Sequence, residues 1–326
     1  MAQLGEFELI ARYFTRPARR AALGVGDDCA LLGVAPGMTL AISSDMLVEG
    51  RHFVSTMAPE RLGHKALAVN LSDLAACGAR PLAFTLALAL PSADEAFLAP
   101  FARGLLALAD RHGCELVGGD TTRGPLTIAI TVLGEVAAGA ALLRSGARPG
   151  DDVYVSGTLG DARLALEVLR GTTAVDGAAF ERVRRAMEEP QPRVALGLAL
   201  VGIATSAIDV SDGLAGDLGH VLDRSGVAAV VDVDALPRSA DLAAEPVATQ
   251  RECMLAGGDD YELVFTAATG QREAVAAAAR AAATPVARVG RIESGSGLRF
   301  VDGAGRDVAA PPRSFDHFRA AAPAST

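Results

Sequence analysis

Six short motifs in this 326-residue sequence set an aspartate beside glycine, serine or threonine: Gly26-Asp27-Asp28, Ser43-Ser44-Asp45, Asn70-Leu71-Ser72-Asp73, Gly119-Asp120-Thr121-Thr122, Asp209-Val210-Ser211-Asp212 and Gly258-Asp259-Asp260. Most follow an apolar, strand-like run, and in open α/β sheets the strand end is where ligands bind. Two carboxylates about 4 Å apart repel by about 4 kcal/mol at an effective dielectric near 20. Several on one site therefore require cations, and short oxygen ligands suit Mg²⁺, which keeps waters and shares phosphate oxygens. Each motif also has an ordinary use, because Ser-Asp caps helices and Gly-Asp-Asp makes turns. Asp73 stands apart. It lies inside a helical pattern over 59–78, three residues from Asn70 on one face and beside Leu67, Leu71 and Leu74, where an acid needs a partner.

The residues also exclude chemistry. The single lysine, Lys65, is followed by alanine, so no Walker A loop exists. Protein-kinase motifs are absent, and Gly24-Val25-Gly26 and Gly157-Thr158-Leu159-Gly160 do not complete GxGxxG. Phosphates would have to be met by metal ions and arginines. Val230-Val231-Asp232-Val233-Asp234 resembles the strand-borne DxD of haloacid-dehalogenase-type phosphatases, with Asp259-Asp260 as a later acid pair. No lysine follows position 65 to hold their phosphoryl group. As a calcium loop, DVDALP lacks the turn glycine. Four isolated cysteines (Cys29, Cys77, Cys114, Cys253) argue against a zinc site or a disulfide framework. A net charge of −9 disfavours nucleic acid. No apolar run approaches the roughly 20 residues that span a bilayer, and Glu6 and Glu8 interrupt any signal peptide. The expected location is the cytoplasm, away from membranes.

The elements that must position these acids alternate along the chain. Strand patterns fall at 39–43, 82–90, 126–136, 152–156, 206–210, 227–233, 262–266, 285–290 and 298–301. Helical patterns fall at 4–14, 59–78, 94–112, 160–170, 179–188, 193–204, 213–224 and 270–283. The mixture predicts an α/β or α+β fold. A Gly- and Ala-rich break near 137–151 predicts two domains, 1–138 and 139–326.

The motifs together resemble the thiamine-monophosphate kinases. GVGDDCALL, LAISSDMLVEGRHF, HKALAVNLSDLAACGARP, LVGGDTTRGP, LRSGARPGDDVYVSGTLGD, AIDVSDGLAGDLGH, AGGDDYELVF and the terminal FDHF occur in that family's order and cover residues 4 to 318. The resemblance extends to the aminoimidazole-ribonucleotide-synthetase and selenophosphate-synthetase superfamily. It implies an N-terminal α/β domain that forms a homodimer through its sheets, followed by a second α/β domain. The implied activity is ATP-dependent phosphorylation of thiamine monophosphate to thiamine diphosphate, with ADP as the other product.

Carried over motif by motif, the resemblance makes Asp28, Ser43, Ser44, Asp45, Asp73, Asp120, Asp209 and Asp212 ligands of several Mg²⁺ ions. Asp73 is their hub, and Asp73, Asp45 and Asp212 are the implied catalytic centre. Gly119, Asp120, Arg144 and Ser211 would meet ATP, and His52, Asp259 and Phe315 would meet thiamine monophosphate. An arginine fork at position 144 suits a polyphosphate, and a phenylalanine face suits a cationic ring. One departure is visible: Asp259 stands where the family more often has glutamate, in GGEDYE. The rival readings are a sister ATP-dependent synthetase and the dehalogenase-type phosphatase. The expected transfer is direct, without a phosphoenzyme, and to thiamine monophosphate rather than thiamine.

Overall fold

The helix that carries Asp73 organises the molecule. In the computed structural model, which describes residues 5–26 and 28–309, a short α1 (Glu6–Leu9) runs into a π-helical turn at Ile10–Phe14, and β1 follows (Met38–Val48). The long α2 (Pro59–Cys77) comes next, then β2 (Arg80–Leu90), α3 (Glu95–His112), β3 (Glu115–Arg123) and β4 (Thr127–Ala137). Proline in its first turn starts α2, and Gly78 at φ 67° ends it in the left-handed conformation that glycine tolerates. The four strands pair in the order β1-β4-β2-β3. Only β2 and β3 run parallel.

The second half begins with β5 (Asp152–Ser156), α4 (Asp161–Arg170), α5 (Gly177–Glu188), α6 (Val194–Leu200), β6 (Ser206–Asp209) and α7 (Leu214–Ser225). It continues with β7 (Ala228–Asp232), α8 (Ala240–Ala243), α9 (Val247–Ala256), β8 (Leu263–Ala267), α10 (Arg272–Ala281), β9 (Val286–Glu293), β10 (Gly297–Val301) and β11 (Asp307–Val308). Its sheet order is β11-β10-β7-β9-β5-β8-β6.

Helix α2 is buried on nearly every side. It crosses α3 so closely that a Cβ on Gly63 would lie 2.1 Å from the Phe101 carbonyl oxygen, and one on Gly104 only 1.8 Å from that of Glu60. Its other flank meets α6. One continuous core therefore joins Leu67 and Leu71 of α2 to Phe84 and Ile130 of the first sheet and to Leu196 and Phe265 of the second half. Polar side chains held on such a helix are fixed relative to both halves.

The elements differ from the sequence patterns in ways that matter for the site. The first strand runs on to Val48, so Ser44 and Asp45, like Ser43, sit within it rather than beyond its end. Strand β3 has no counterpart among the sequence patterns, and it contains Gly119 and Asp120. Its Gly118-Gly119 pair masks a strand signature. A Cβ on Gly119 would come within 1.9 Å of the Leu86 carbonyl oxygen, so close pairing with β2 requires glycine there. Helices α8 and α9 are also new, and the pattern over 4–14 is an α turn followed by a π turn.

Candidate active site

Alternation along β1 sorts its side chains. Ser43, Asp45 and Leu47 point toward α2, whereas Ile42, Ser44 and Met46 point to the opposite face, where Ser44 bonds the Thr131 hydroxyl at 3.1 Å. On α2, Lys65, Val69 and Asp73 recur every four residues and form one stripe. That stripe and β1 form one wall of a cavity of about 690 Å³. The loop from Gly50 to Met57, the end of β6 with Asp209, Ser211 and Asp212, the turn from Gly257 to Tyr261, helix α4 and Arg144 complete it.

At the Asp73 end the acids are held by neutral donors. The Ser43 hydroxyl donates to Asp73, which supplies the partner this acid needs. Ser72 donates to Asp209 at 2.7 Å, and the Asp45 amide donates to the Asn70 side-chain oxygen at 3.0 Å. Burial, then the charges of Asp73 and Asp212, push Asp45 up to about 6. Burial, then Asp73, pushes Asp209 up to about 8. Burial also raises Asp73, against the opposing pull of Ser43 and Arg144. Asp217, which the motifs did not single out, accepts the amides of Ser211 and Asp212 at 3.0 and 3.1 Å, and burial pushes it up to about 7. It shapes the loop that presents both residues.

The opposite end is arranged differently. Gly258, Asp259 and Tyr261 all have left-handed backbone, at φ 70°, 64° and 53°. A Cβ on Gly258 would lie 2.4 Å from the Ser211 carbonyl oxygen. The turn is pinned to β6 by bonds from the Asp259 amide to Ser211 and the Tyr261 amide to Val210, at 2.8 and 2.9 Å. Asp259 is paired with Lys65 at 2.5 Å. His52 faces this region, its Nδ1 accepting the Val48 amide at 3.0 Å, which fixes the ring and its tautomer.

Of the residues singled out by sequence, Ser43, Asp45, His52, Asp73, Arg144, Asp209, Ser211, Asp212 and Asp259 line this one cavity. Ser44, Gly119, Asp120 and Asp28 do not. Asp120 pairs in register with Ala87, on the sheet face opposite α2, so the sheet separates Ser44 and Asp120 from Asp45 and Asp73. Phe315 lies outside the described residues. Among the described residues no three acidic, histidine or cysteine side chains stand close enough to grip a metal unaided. Besides Asp217, sequence reasoning gave no role in the site to Lys65 or Tyr261, which line the cavity. The signal for Lys65 was its spacing of eight from Asp73 on one helix. The DxD motif is a turn: the Asp234 amide donates to Asp232 at 2.9 Å, and Gly303 donates to Asp234 at 2.9 Å. Neither acid lines the cavity.

Comparison with known proteins agrees with this architecture. Residues 26–136 match the AIR synthase related protein N-terminal domain, and residues 148–303 match its C-terminal domain. Thiamine-monophosphate kinase of Salmonella typhimurium is 46% identical over 322 residues, covering 96% of this chain and 98% of the relative. The crystal structure of thiamine-monophosphate kinase from Stenotrophomonas maltophilia superposes with a TM-score of 0.83 at 46% identity, covering 92% of this chain and 95% of that one. AaThiL complexed with AMPPCP and TMP gives a TM-score of 0.75 at 30% identity, covering 88% and 89%. The chain belongs to the thiamine-monophosphate kinase family, built from an AIR synthase-related N-terminal and C-terminal domain.

Proposed function

We propose that this chain transfers the γ-phosphoryl group of ATP to thiamine monophosphate, yielding thiamine diphosphate and ADP. The observation that carries this reading is a single cavity that brings Asp45, Asp73, Asp209, Asp212 and Arg144 together with His52 and Asp259. The relatives named above support it, in particular the one bound to both AMPPCP and TMP.

The donor set fits Mg²⁺. Its members are carboxylates and hydroxyls, and the Asp73 charge raises both the half-buried Asp45 and the buried Asp209. Their looseness as a cage suits an ion that keeps waters and shares phosphate oxygens. Asp28, Ser43, Ser44, Asp45, Asp73, Asp120, Asp209 and Asp212 are the proposed ligands. Bound Mg²⁺ supplies charge neutralisation and alignment of the transferring phosphoryl group. Gly119, Asp120, Arg144 and Ser211 meet ATP; His52, Asp259 and Phe315 meet the acceptor.

The acceptor is itself a phosphate, largely ionised at neutral pH, so it needs no strong base. His52 is committed through Nδ1 to the Val48 amide and serves as a donor rather than a nucleophile. The phosphoryl group thus passes directly between substrates, and the stereochemistry at phosphorus should invert.

A homodimer accounts for the split ligand set. The face that carries Ser44 and Asp120 also exposes Ile42 (60%) and Met46 (54%). A second copy packed on that sheet face would bury both apolar side chains and supply the missing groups. The boundary between the two domains is placed at 138/139, and the cytoplasm is the proposed location. Among the described residues no helix is long and apolar enough to cross a membrane.

The test is product formation with thiamine monophosphate, thiamine and aminoimidazole precursors offered side by side. Thiamine diphosphate should form from the monophosphate alone. Efficient phosphorylation of thiamine, or turnover of an aminoimidazole precursor instead, would refute the assignment.

A further inference from the structure

Lys65 is the single lysine in the chain, and it is 1% exposed on a helix whose neighbours are apolar. Its ammonium donates to the Met187 carbonyl of α5 at 2.9 Å and to Asp259 Oδ2 at 2.5 Å. Asp259 keeps 34% of its side chain exposed, on the cavity. A fully buried cation thus compensates a carboxylate that still faces the space where ligands bind. Burial, with the adjacent Asp259 charge, pushes the Tyr261 phenol well above its ordinary range, so it remains a donor beside that carboxylate.

The pair is neither the only tie between the halves, which Arg61 and Glu188 also join, nor the only anchor of the turn that carries Asp259. Arg193 clamps Glu262, which also accepts the Ser156 hydroxyl at 2.5 Å. Asp260 accepts the Gly160 amide at 3.0 Å, and Glu188 is shared by Arg61 and Arg184 at 2.8 Å each. Burying a charged pair has its own desolvation cost. Left-handed backbone at the non-glycine residues Asp259 and Tyr261 adds to it, at about 1–3 kcal/mol for each such position. Strain maintained beside an already anchored turn indicates that the aim of the Asp259 carboxylate is what the arrangement secures.

We propose that Lys65 is a positioning residue for the acceptor: it holds Asp259 as a fixed, charge-compensated hydrogen-bond acceptor toward thiamine monophosphate. This rests on the function proposed above. Asp259 thus carries its own counter-charge although its turn is bonded to Ser211, next to Asp212. It serves recognition by direction rather than by free charge. The pairing also gives the shorter acid at 259 a defined place, because the lysine draws it toward α2.

The test is steady-state kinetics on the full chain for Lys65→Met, Asp259→Asn and the double variant. Thiamine monophosphate and ATP are varied separately, and thermal unfolding is followed for each protein. Lys65→Met should raise KM for thiamine monophosphate roughly ten- to hundredfold, the range expected when the charge-assisted hydrogen bond that aims Asp259 is lost. KM for ATP should stay within about twofold, the signature of an effect confined to one substrate. The double variant should match Asp259→Asn alone, because Lys65 acts through that carboxylate. If Lys65→Met does not fold, Asp259→Asn carries the test, with the same split between the two KM values expected. Both KM values rising together, a fall in kcat alone, or additive effects in the double variant would overturn the role of Lys65. A wild-type protein that makes no thiamine diphosphate would instead sink the functional reading and this proposal with it.

Discussion

The two ends of the α2 stripe treat the same residue type in opposite ways. At the Asp73 end, Asp73 and Asp209 accept from the neutral hydroxyls of Ser43 and Ser72; burial is the largest cause that raises Asp45, Asp73 and Asp209, and neighbouring acids add to it at Asp45 and Asp209. At the Lys65 end, Asp259 has a buried cation at 2.5 Å. One group of acids is arranged for a positive charge brought from outside; the other acid carries its counter-charge within the fold. A phosphoryl-transfer site needs both. Ions and polyphosphate must enter and leave with each turnover, whereas the acceptor must be aimed by something that stays.

The sharpest way to break this contrast is Asp73→Asn. The substitution keeps the acceptor for the Ser43 hydroxyl, so the fold should hold, yet turnover should fall at least about a hundredfold through lost electrostatic stabilisation. A variant retaining a tenth of wild-type turnover at saturating Mg²⁺ would remove Asp73 from the centre of the account. A similarly large loss is expected from Ile42→Glu if the outer sheet face pairs two copies. Sedimentation should then show monomers, with turnover lost because Ser44 and Asp120 no longer join the site. A fully active monomer would contradict that arrangement.

A smaller effect concerns stability. Asp45, Asp217 and Asp209, with folded values of about 6, about 7 and about 8, are all raised above the ordinary 3.8. The folded state therefore keeps protons that the unfolded chain releases near pH 4. Stability should fall as pH rises from about 4 to about 8, and Mg²⁺ should restore it more at pH 8 than at pH 6. Thermal unfolding in chelator and in magnesium measures this directly, and a melting temperature indifferent to Mg²⁺ at pH 8 would count against the cation site. The smallest effect is expected at Asp234→Asn. Only local turn bonds change there, so stability should move by no more than about 0.5 kcal/mol and turnover not at all. Loss of activity would revive the phosphatase reading.

Much of this was legible in the sequence, because short acids beside Gly, Ser and Thr report chemistry even when their strands are misjudged. The helix over 59–77 was legible from its period, and Asp73 from its discord with that period. Strand β3 was not, because Gly118-Gly119 suits close pairing with β2 but carries no strand propensity. The extension of β1 through Ser-Ser-Asp was hidden for the same reason: polar residues continue a strand when one of its faces meets a site. That Ser44 and Asp120 share the far face follows from pleat and register, which motifs do not encode. Lys65 read only as evidence against a Walker A loop, because its partner, Asp259, is 194 residues away in the chain.

The most direct test of the two-ended cavity is calorimetric titration of Mg²⁺·AMPPCP and of thiamine monophosphate into the wild-type chain, Asp73→Asn and Lys65→Met. The predicted result is a double dissociation: Asp73→Asn loses the magnesium nucleotide and keeps thiamine monophosphate, and Lys65→Met does the reverse. Loss of both ligands together in either folded variant would contradict the account.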